Sequence, residues 1–193
     1  NGGNWDYAEN QVAGFQLGVV EADDDGQVVG YTIASVKNTS GSNIPNGLTY
    51  FAIDNTGKLT LTAAGAAATA PSNDFETAPN QFVLAITATD NTGNTSAPVD
   101  FRFEVQNTED VAPIVNPAFL NYSENKSAGD LLGTVVATDN IAVTGYNIVT
   151  GNASGYFAIN NAGVITLTAA GAAAGAASND FEIAPNQFVL AVT

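Results

Sequence analysis

The chain has 193 residues, 45% of them hydrophobic, and sets 19 acidic residues against four basic ones (Lys37, Lys58, Arg102 and Lys126) for a net charge of −15. This length allows one or two domains with cores of their own, and this charge repels nucleic acid and anionic lipid while attracting cations. His, Cys and Met are absent, which excludes disulfides, thiol chemistry and imidazole ligands; no stretch approaches the ~20 apolar residues of a membrane span, and no signal segment opens the chain.

Short runs rich in Val, Ile, Thr, Phe and Tyr predict strands at 16–21, 28–35, 49–53, 59–62, 81–88 and 99–105, after a first strand around Trp5. Turn clusters separate them: ADDDG at 22–26, DNTG at 54–57 and NTGNTSAP at 91–98. In the last strand Phe101, Phe103 and Val105 alternate with Arg102 and Glu104, the pattern of a strand with one wet face. The alanine-rich run 63–70 lacks a polar face and is interrupted by Gly65, so it reads as a small-residue crossover with one helical turn.

The same elements then recur. DFETAPNQFVLAIT at 74–87 returns as DFEIAPNQFVLAVT at 180–193, with twelve of fourteen positions identical at a spacing of 106. YFAIDNTG at 50–57 returns as YFAINNAG at the same spacing, and DYAEN at 6–10 as NYSEN at 121–125, now at a spacing of 115. A nine-residue loop insertion within 37–47 of the first repeat accounts for the change. One fold used twice is expected: an all-β chain of tandem seven-stranded Greek-key β-sandwiches, repeat 1 covering 1–110 with its linker and repeat 2 covering 111–193. Repeat 2 carries no counterpart of the strand at 99–105, so its sandwich is incomplete at the C-terminal side. Truncation, or donation of the strand by a neighbour, would account for that. The start at Asn1 is expected of a processed chain or an excised fragment.

The carboxylates follow the repeat. Glu9 lies in YAEN, Asp24 in ADDDG, Asp74 and Glu76 in NDFE, and Asp90 in ATD. Repeat 2 supplies Glu124, Asp139, Asp180 and Glu182, and Asn107, Glu109 and Asp110 stand between the repeats in VQNTEDVAP. In this order, a glutamate near the start, an Asp-x-Glu motif, an alanine-flanked Asp and an acidic linker closing on proline, the sequence resembles cadherin repeats. The resemblance implies that Glu9, Asp74, Glu76, Asn107, Glu109, Asp110 and Asp139 bind Ca2+ at the junction. Asp24 and Asp90, and Glu124, Asp180 and Glu182, would form the outer half-sites. Calcium accepts six to eight oxygens in loose geometry, and the lack of His and Cys disfavours zinc and copper. Asn107 stands where the family's linker begins with Asp, and Glu109 and Val111 stand at its usual Asn positions. Ile141 and Gly26 stand at the second Asp of the family's DxD motif. Two ions rather than three are therefore expected.

The implied function is that of extender repeats: calcium stiffens the array, and the protein mediates cell adhesion or biofilm attachment outside the cell. The similarity of the repeats and the scarcity of Lys resemble large bacterial surface adhesins of the RTX type. The partners implied are neighbouring repeats, with homophilic or carbohydrate contacts, and neither nucleic acid nor membrane insertion. No enzyme is expected, because paired-carboxylate catalysis needs an aromatic-lined cleft, and the chain has a single Trp and no His or Cys nucleophile constellation. The alternatives are a carbohydrate- or self-binding module, with Tyr31, Tyr50, Tyr146 and Tyr156 as candidate contact residues, or a filament or surface-layer subunit assembled by strand donation.

Overall fold

A computed structural model describes residues 4–193. The chain divides into two compact units, Asn1–Thr108 and Glu109–Thr193.

Unit 1 contains seven strands: β1 (Asn4–Ala8), β2 (Gln16–Val19), β3 (Val28–Lys37), β4 (Phe51–Ile53), β5 (Lys58–Leu61), β6 (Gln81–Asp90) and β7 (Val99–Gln106). They form a four-stranded sheet in the order β1-β7-β6-β3 and a three-stranded sheet in the order β2-β5-β4. Every pairing is antiparallel except β1 with β7. Alternation decides what each strand buries. In β7, Phe101, Phe103 and Val105 are buried while Arg102 is exposed, and in β6 Phe82, Leu84 and Ile86 turn inward. These side chains meet Phe51, Leu59 and Leu61 of the smaller sheet in one core. Trp5 completes it, with its ring centroid 5.4 Å from those of both Phe101 and Phe103, and Gly18 leaves the space that its ring needs.

Two local features differ from simple strand-and-loop expectations. The strand predicted at 49–53 starts only at Phe51, because Asn46 adopts a left-handed conformation and Gly47–Tyr50 closes into one helical turn, α1, within the inserted segment. The alanine-rich run folds as successive turns, the first an α-turn from Ala66 N–H to the Thr62 carbonyl. Gly65 is required there, since a Cβ would collide with the Tyr50 carbonyl; Gly171 meets the Tyr156 carbonyl in the same way.

Unit 2 keeps equivalents of the three-stranded sheet and has short strands elsewhere: β8 (Ile114–Val115), β9 (Leu131–Thr134), β10 (Ala137–Thr138), β11 (Ile148–Thr150), β12 (Phe157–Ile159), β13 (Val164–Leu167) and β14 (Ala191–Val192). Its sheets are β12-β13-β9, β10-β8 and β11-β14. The core holds Leu132, Val135, Phe157, Ile165 and Leu167, with Phe188 and Leu190 packed against it only partly buried. Tyr31 and Tyr50 in unit 1, and Tyr146 and Tyr156 in unit 2, also pack against these cores.

The equivalent phenylalanines allow a test. Phe82 is 0% exposed, and Phe82→Ala should cost about 3–5 kcal/mol. Phe188→Ala, at a partly buried site, should cost clearly less. Trp5 is the only Trp of the chain and lies in the unit 1 core, so its fluorescence during urea unfolding should register the first substitution and ignore the second.

Candidate metal centre

The first acidic group grows from the end of β1. Because β1 runs parallel to β7, residue 9 arrives beside the end of β7, and the Glu9 N–H donates to the Gln106 carbonyl. Asn10 then turns the chain with φ 61°, and Asn73 locks the turn from across the unit. The Asn73 side chain accepts from Gln11 N–H at 2.6 Å and donates to the carbonyls of Gln11 and Ala66. Tyr7 adds a hydrogen bond from its hydroxyl to the Ser72 carbonyl at 2.7 Å, and burial pushes that hydroxyl's pKa up.

These constraints hold the Glu9 carboxylate in the interior, 2% exposed. Oε1 accepts from Thr108 N–H at 2.6 Å and from the Thr108 hydroxyl at 3.2 Å, and Oε2 accepts from Phe75 N–H at 2.7 Å. Charge-assisted bonds of this kind make a buried carboxylate tolerable. Phe75 lies between Asp74 and Glu76, and carboxylate oxygens of Glu9, Asp74 and Glu76 lie within 4.8 Å of one another. Asp74 is partly buried and Glu76 exposed, so the group runs from the interior to the surface.

Unit 2 builds the same group from equivalent residues. Glu124, Asp180 and Glu182 also bring oxygens within 4.8 Å, and Glu124 Oε2 accepts from Phe181 N–H at 2.8 Å. Asn179 clamps Lys126 and Ala172 as Asn73 clamps Gln11 and Ala66. The Tyr122 hydroxyl donates to Ser178 at 2.7 Å. Glu124 is nevertheless exposed where Glu9 is buried.

A third group opens unit 2. Reduced hydration, then the charge of Asp139 and a hydrogen bond with it, then the charge of Asp110, raise the Glu109 pKa above the usual carboxylate value. Asp139 is itself oriented by the N–H groups of Ile141 and Ala142, both at 2.8 Å. Asn107 follows β7, half-buried, in unit 1.

Asp24 and Asp90 are placed differently. The pairing of Val28 with Asp90 brings both to one end of unit 1, but each carboxylate organises its own turn. Asp24 accepts from Gly26 N–H at 3.0 Å. Asp90 accepts from the side chain of Asn94 at 2.7 Å and from the N–H groups of Thr92 and Asn94 at 2.8 Å. The Asn94 side chain and then these turn groups lower its pKa to about 2. Thr108 does more than its sequence position indicates, holding Glu9 through its N–H and hydroxyl. The role of Asn73 and Asn179 is visible in the sequence only as the repeated SND at 72–74 and 178–180.

No protein-family model matches the chain, and no curated protein matches it. Solved structures do. Human protocadherin-24 EC1-2 superposes with a TM-score of 0.59 at 17% identity, covering 98% of this chain and 88% of that one. Chicken VE-cadherin EC1-2 gives 0.59 at 19%, covering 93% and 82%. The protocadherin GammaB4 extracellular domain gives 0.58 at 23%, covering 86% and 28%. The fold is that of cadherin extracellular domains. The chain spans 28% of the GammaB4 structure and 42% of the one comprising protocadherin Gamma B2 domains 3-6. Set on this cadherin-like fold, the two Glu + Asp-x-Glu trios occupy equivalent places in equivalent units.

The acids should titrate in opposite senses. A raised folded-state pKa means that Glu109 weakens the metal-free fold as pH climbs from the ordinary carboxylate range through its own. Asp90 contributes stability above its ordinary value of 3.8, lost as pH falls through about 2. Carboxyl titration by NMR in chelator should find Glu109 above the usual glutamate value and Asp90 at about 2, and Asp139→Asn should return Glu109 towards its usual value.

Proposed function

We propose that the chain consists of calcium-stiffened extender repeats, 1–110 with the linker and 111–193, from an extracellular surface adhesin. The observation that carries this reading is the duplicated trio: in both units a glutamate is hydrogen-bonded to the backbone of an Asp-x-Glu segment whose carboxylates crowd around it. The donor set is all oxygen, in a chain without His or Cys, as calcium requires. Glu9, Asp74 and Glu76 would hold the ion with Asn107, Glu109, Asp110 and Asp139. Glu124, Asp180 and Glu182, and Asp24 with Asp90, would serve neighbouring repeats. Bound calcium supplies the positive charge that 19 acids against four bases lack, converting mutual repulsion into cross-linking.

The chain geometry favours this assignment. Thr108, the last residue of unit 1, is held by Glu9, and the next residue, Glu109, contacts Asp139. Thr108 and Glu109 are neighbours in the chain, so calcium held by either group would restrain the backbone that connects the repeats. The similarity of the repeats and the scarcity of Lys support a repetitive bacterial adhesin of the RTX type, used for attachment or biofilm growth. The role is mechanical, without catalysis. A carbohydrate-binding face gains no support from Tyr31, Tyr50, Tyr146 and Tyr156, which are engaged by the cores.

Calcium binding only to the folded chain stabilises it by about 4 kcal/mol at a thousandfold excess over Kd. Thermal melts should therefore shift upward strongly in calcium, little in magnesium, and return in chelator. Glu76→Gln, at an exposed site, should leave the chelated melt unchanged while removing most of the calcium shift, and Asp110→Asn should do the same. A melt indifferent to calcium would make the acids a surface adaptation.

A further inference from the structure

We propose that Asn73 in unit 1 and Asn179 in unit 2 are positioning residues for the acidic trios: each fixes the spacing between the glutamate and the Asp-x-Glu segment before an ion arrives, and the fixed spacing favours calcium over the smaller magnesium. This role rests on the calcium reading given above and concerns what sets the dimensions of that site.

One asparagine makes the same four hydrogen bonds in each unit. In unit 1, Asn10 N–H donates to the Asn73 carbonyl at 3.1 Å and Gln11 N–H to Asn73 Oδ1 at 2.6 Å, while Asn73 Nδ2 donates to the carbonyls of Gln11 at 3.1 Å and Ala66 at 3.0 Å. In unit 2, Asn125 N–H donates to the Asn179 carbonyl at 3.2 Å and Lys126 N–H to Asn179 Oδ1 at 2.7 Å. Asn179 Nδ2 then donates to the carbonyls of Lys126 at 3.0 Å and Ala172 at 3.3 Å. Asn10 follows Glu9 and Asn73 precedes Asp74, so the clamp sits one residue from a carboxylate on either side. Gln11 and Lys126 differ in chemistry and are held alike, because the clamp grips only their backbone. Asn73 is 2% exposed, and its oxygen and both amide hydrogens are engaged.

The alanine-rich run is the third point of attachment, which gives that uncharged segment a part in the site. Its turns lead into the clamp through Asn73 N–H to the Ala70 carbonyl at 2.7 Å, and Asn179 N–H to the Ala176 carbonyl at 2.8 Å. The Ser72 and Ser178 hydroxyls brace it by donating to the carbonyls of Gly65 and Gly171, both at 2.8 Å. Burial does not set the spacing of the acids. Glu9 is buried and Glu124 exposed, yet both trios keep their carboxylate oxygens within 4.8 Å of one another. The spacing accompanies what the units share, which is the clamp and the bond from Phe75 or Phe181 N–H to the glutamate. A frame tied on both sides resists contraction. Calcium takes its oxygens at about 2.3–2.6 Å and magnesium at about 2.0–2.1 Å, so such a frame penalises the smaller ion. Groups that orient metal ligands alter affinity by about 10–100-fold.

The test is calorimetric titration of the intact chain with calcium and with magnesium, at a temperature where circular dichroism shows each variant folded. A Glu182→Gln background silences the second trio. In it, Asn73→Ala should weaken calcium about tenfold or more and magnesium clearly less. Asn179→Ala in a Glu76→Gln background is the reciprocal experiment, and it decides the matter if Asn73→Ala does not fold. Phe82→Ala, a core substitution, should lower the melting temperature and leave both affinities of the folded chain unchanged. In chelator, the amides of Gln11 and Lys126 should exchange slowly in the parent chain, as a clamp closed before the ion arrives requires. They should exchange fast in Asn73→Ala and Asn179→Ala respectively. Unchanged calcium affinity, an equal loss for both metals, or fast exchange in the metal-free parent would overturn the positioning role and leave the calcium reading standing. A parent chain that binds no calcium would overturn both.

Discussion

A carboxylate almost wholly removed from water, that of Glu9, ties together three segments distant in sequence. It accepts hydrogen bonds from Thr108 at the end of unit 1 and from Phe75 in the middle of it, while its own N–H joins the last carbonyl of β7. Burying an anion is costly unless donors surround it, so this position demands that the β1 end, the 71–77 turns and the segment after β7 meet in one arrangement. The same arrangement gathers Asp74 and Glu76 around it. One side chain thus meets a requirement of folding and anchors the acidic group proposed to hold a metal.

The second unit repeats part of this arrangement. Glu124 still bonds to Phe181, and Asn179 and Tyr122 repeat their partners' contacts. The trio forms, yet Glu124 is exposed where Glu9 is buried. Contacts within each unit therefore suffice to gather the acids, and in unit 1 Thr108 after β7 adds to the bonds that hold Glu9.

The acidic residues divide by what their oxygens already hold. Asp90 and Asp54 act as turn anchors, each accepting several N–H and hydroxyl groups from the next four residues. Such carboxylates are stabilised as anions without a cation. Glu109 is the opposite case: reduced hydration and the neighbouring Asp139 raise its pKa. A cation would relieve the second kind far more than the first, so the linker acids and the trios are better suited to calcium than the acids of the outer turns.

Much of this was written in the sequence. Alternation in Phe101–Val105 and the spacing of turn residues are local signals, and local signals mark strands because side chains on a strand alternate between faces. The repeat of Glu and Asp-x-Glu placed three acids of each unit in one site, since identical segments fold identically when their contacts lie within the unit. Other features had no local signature. The helical turn at Gly47–Tyr50 depends on the left-handed Asn46 within an insertion. The clasp of Thr108 on Glu9 spans nearly the whole of unit 1. The sequence alone determined where most strands form and which acids recur; only the tertiary structure decided which of those acids are buried, because burial depends on neighbours far away along the chain.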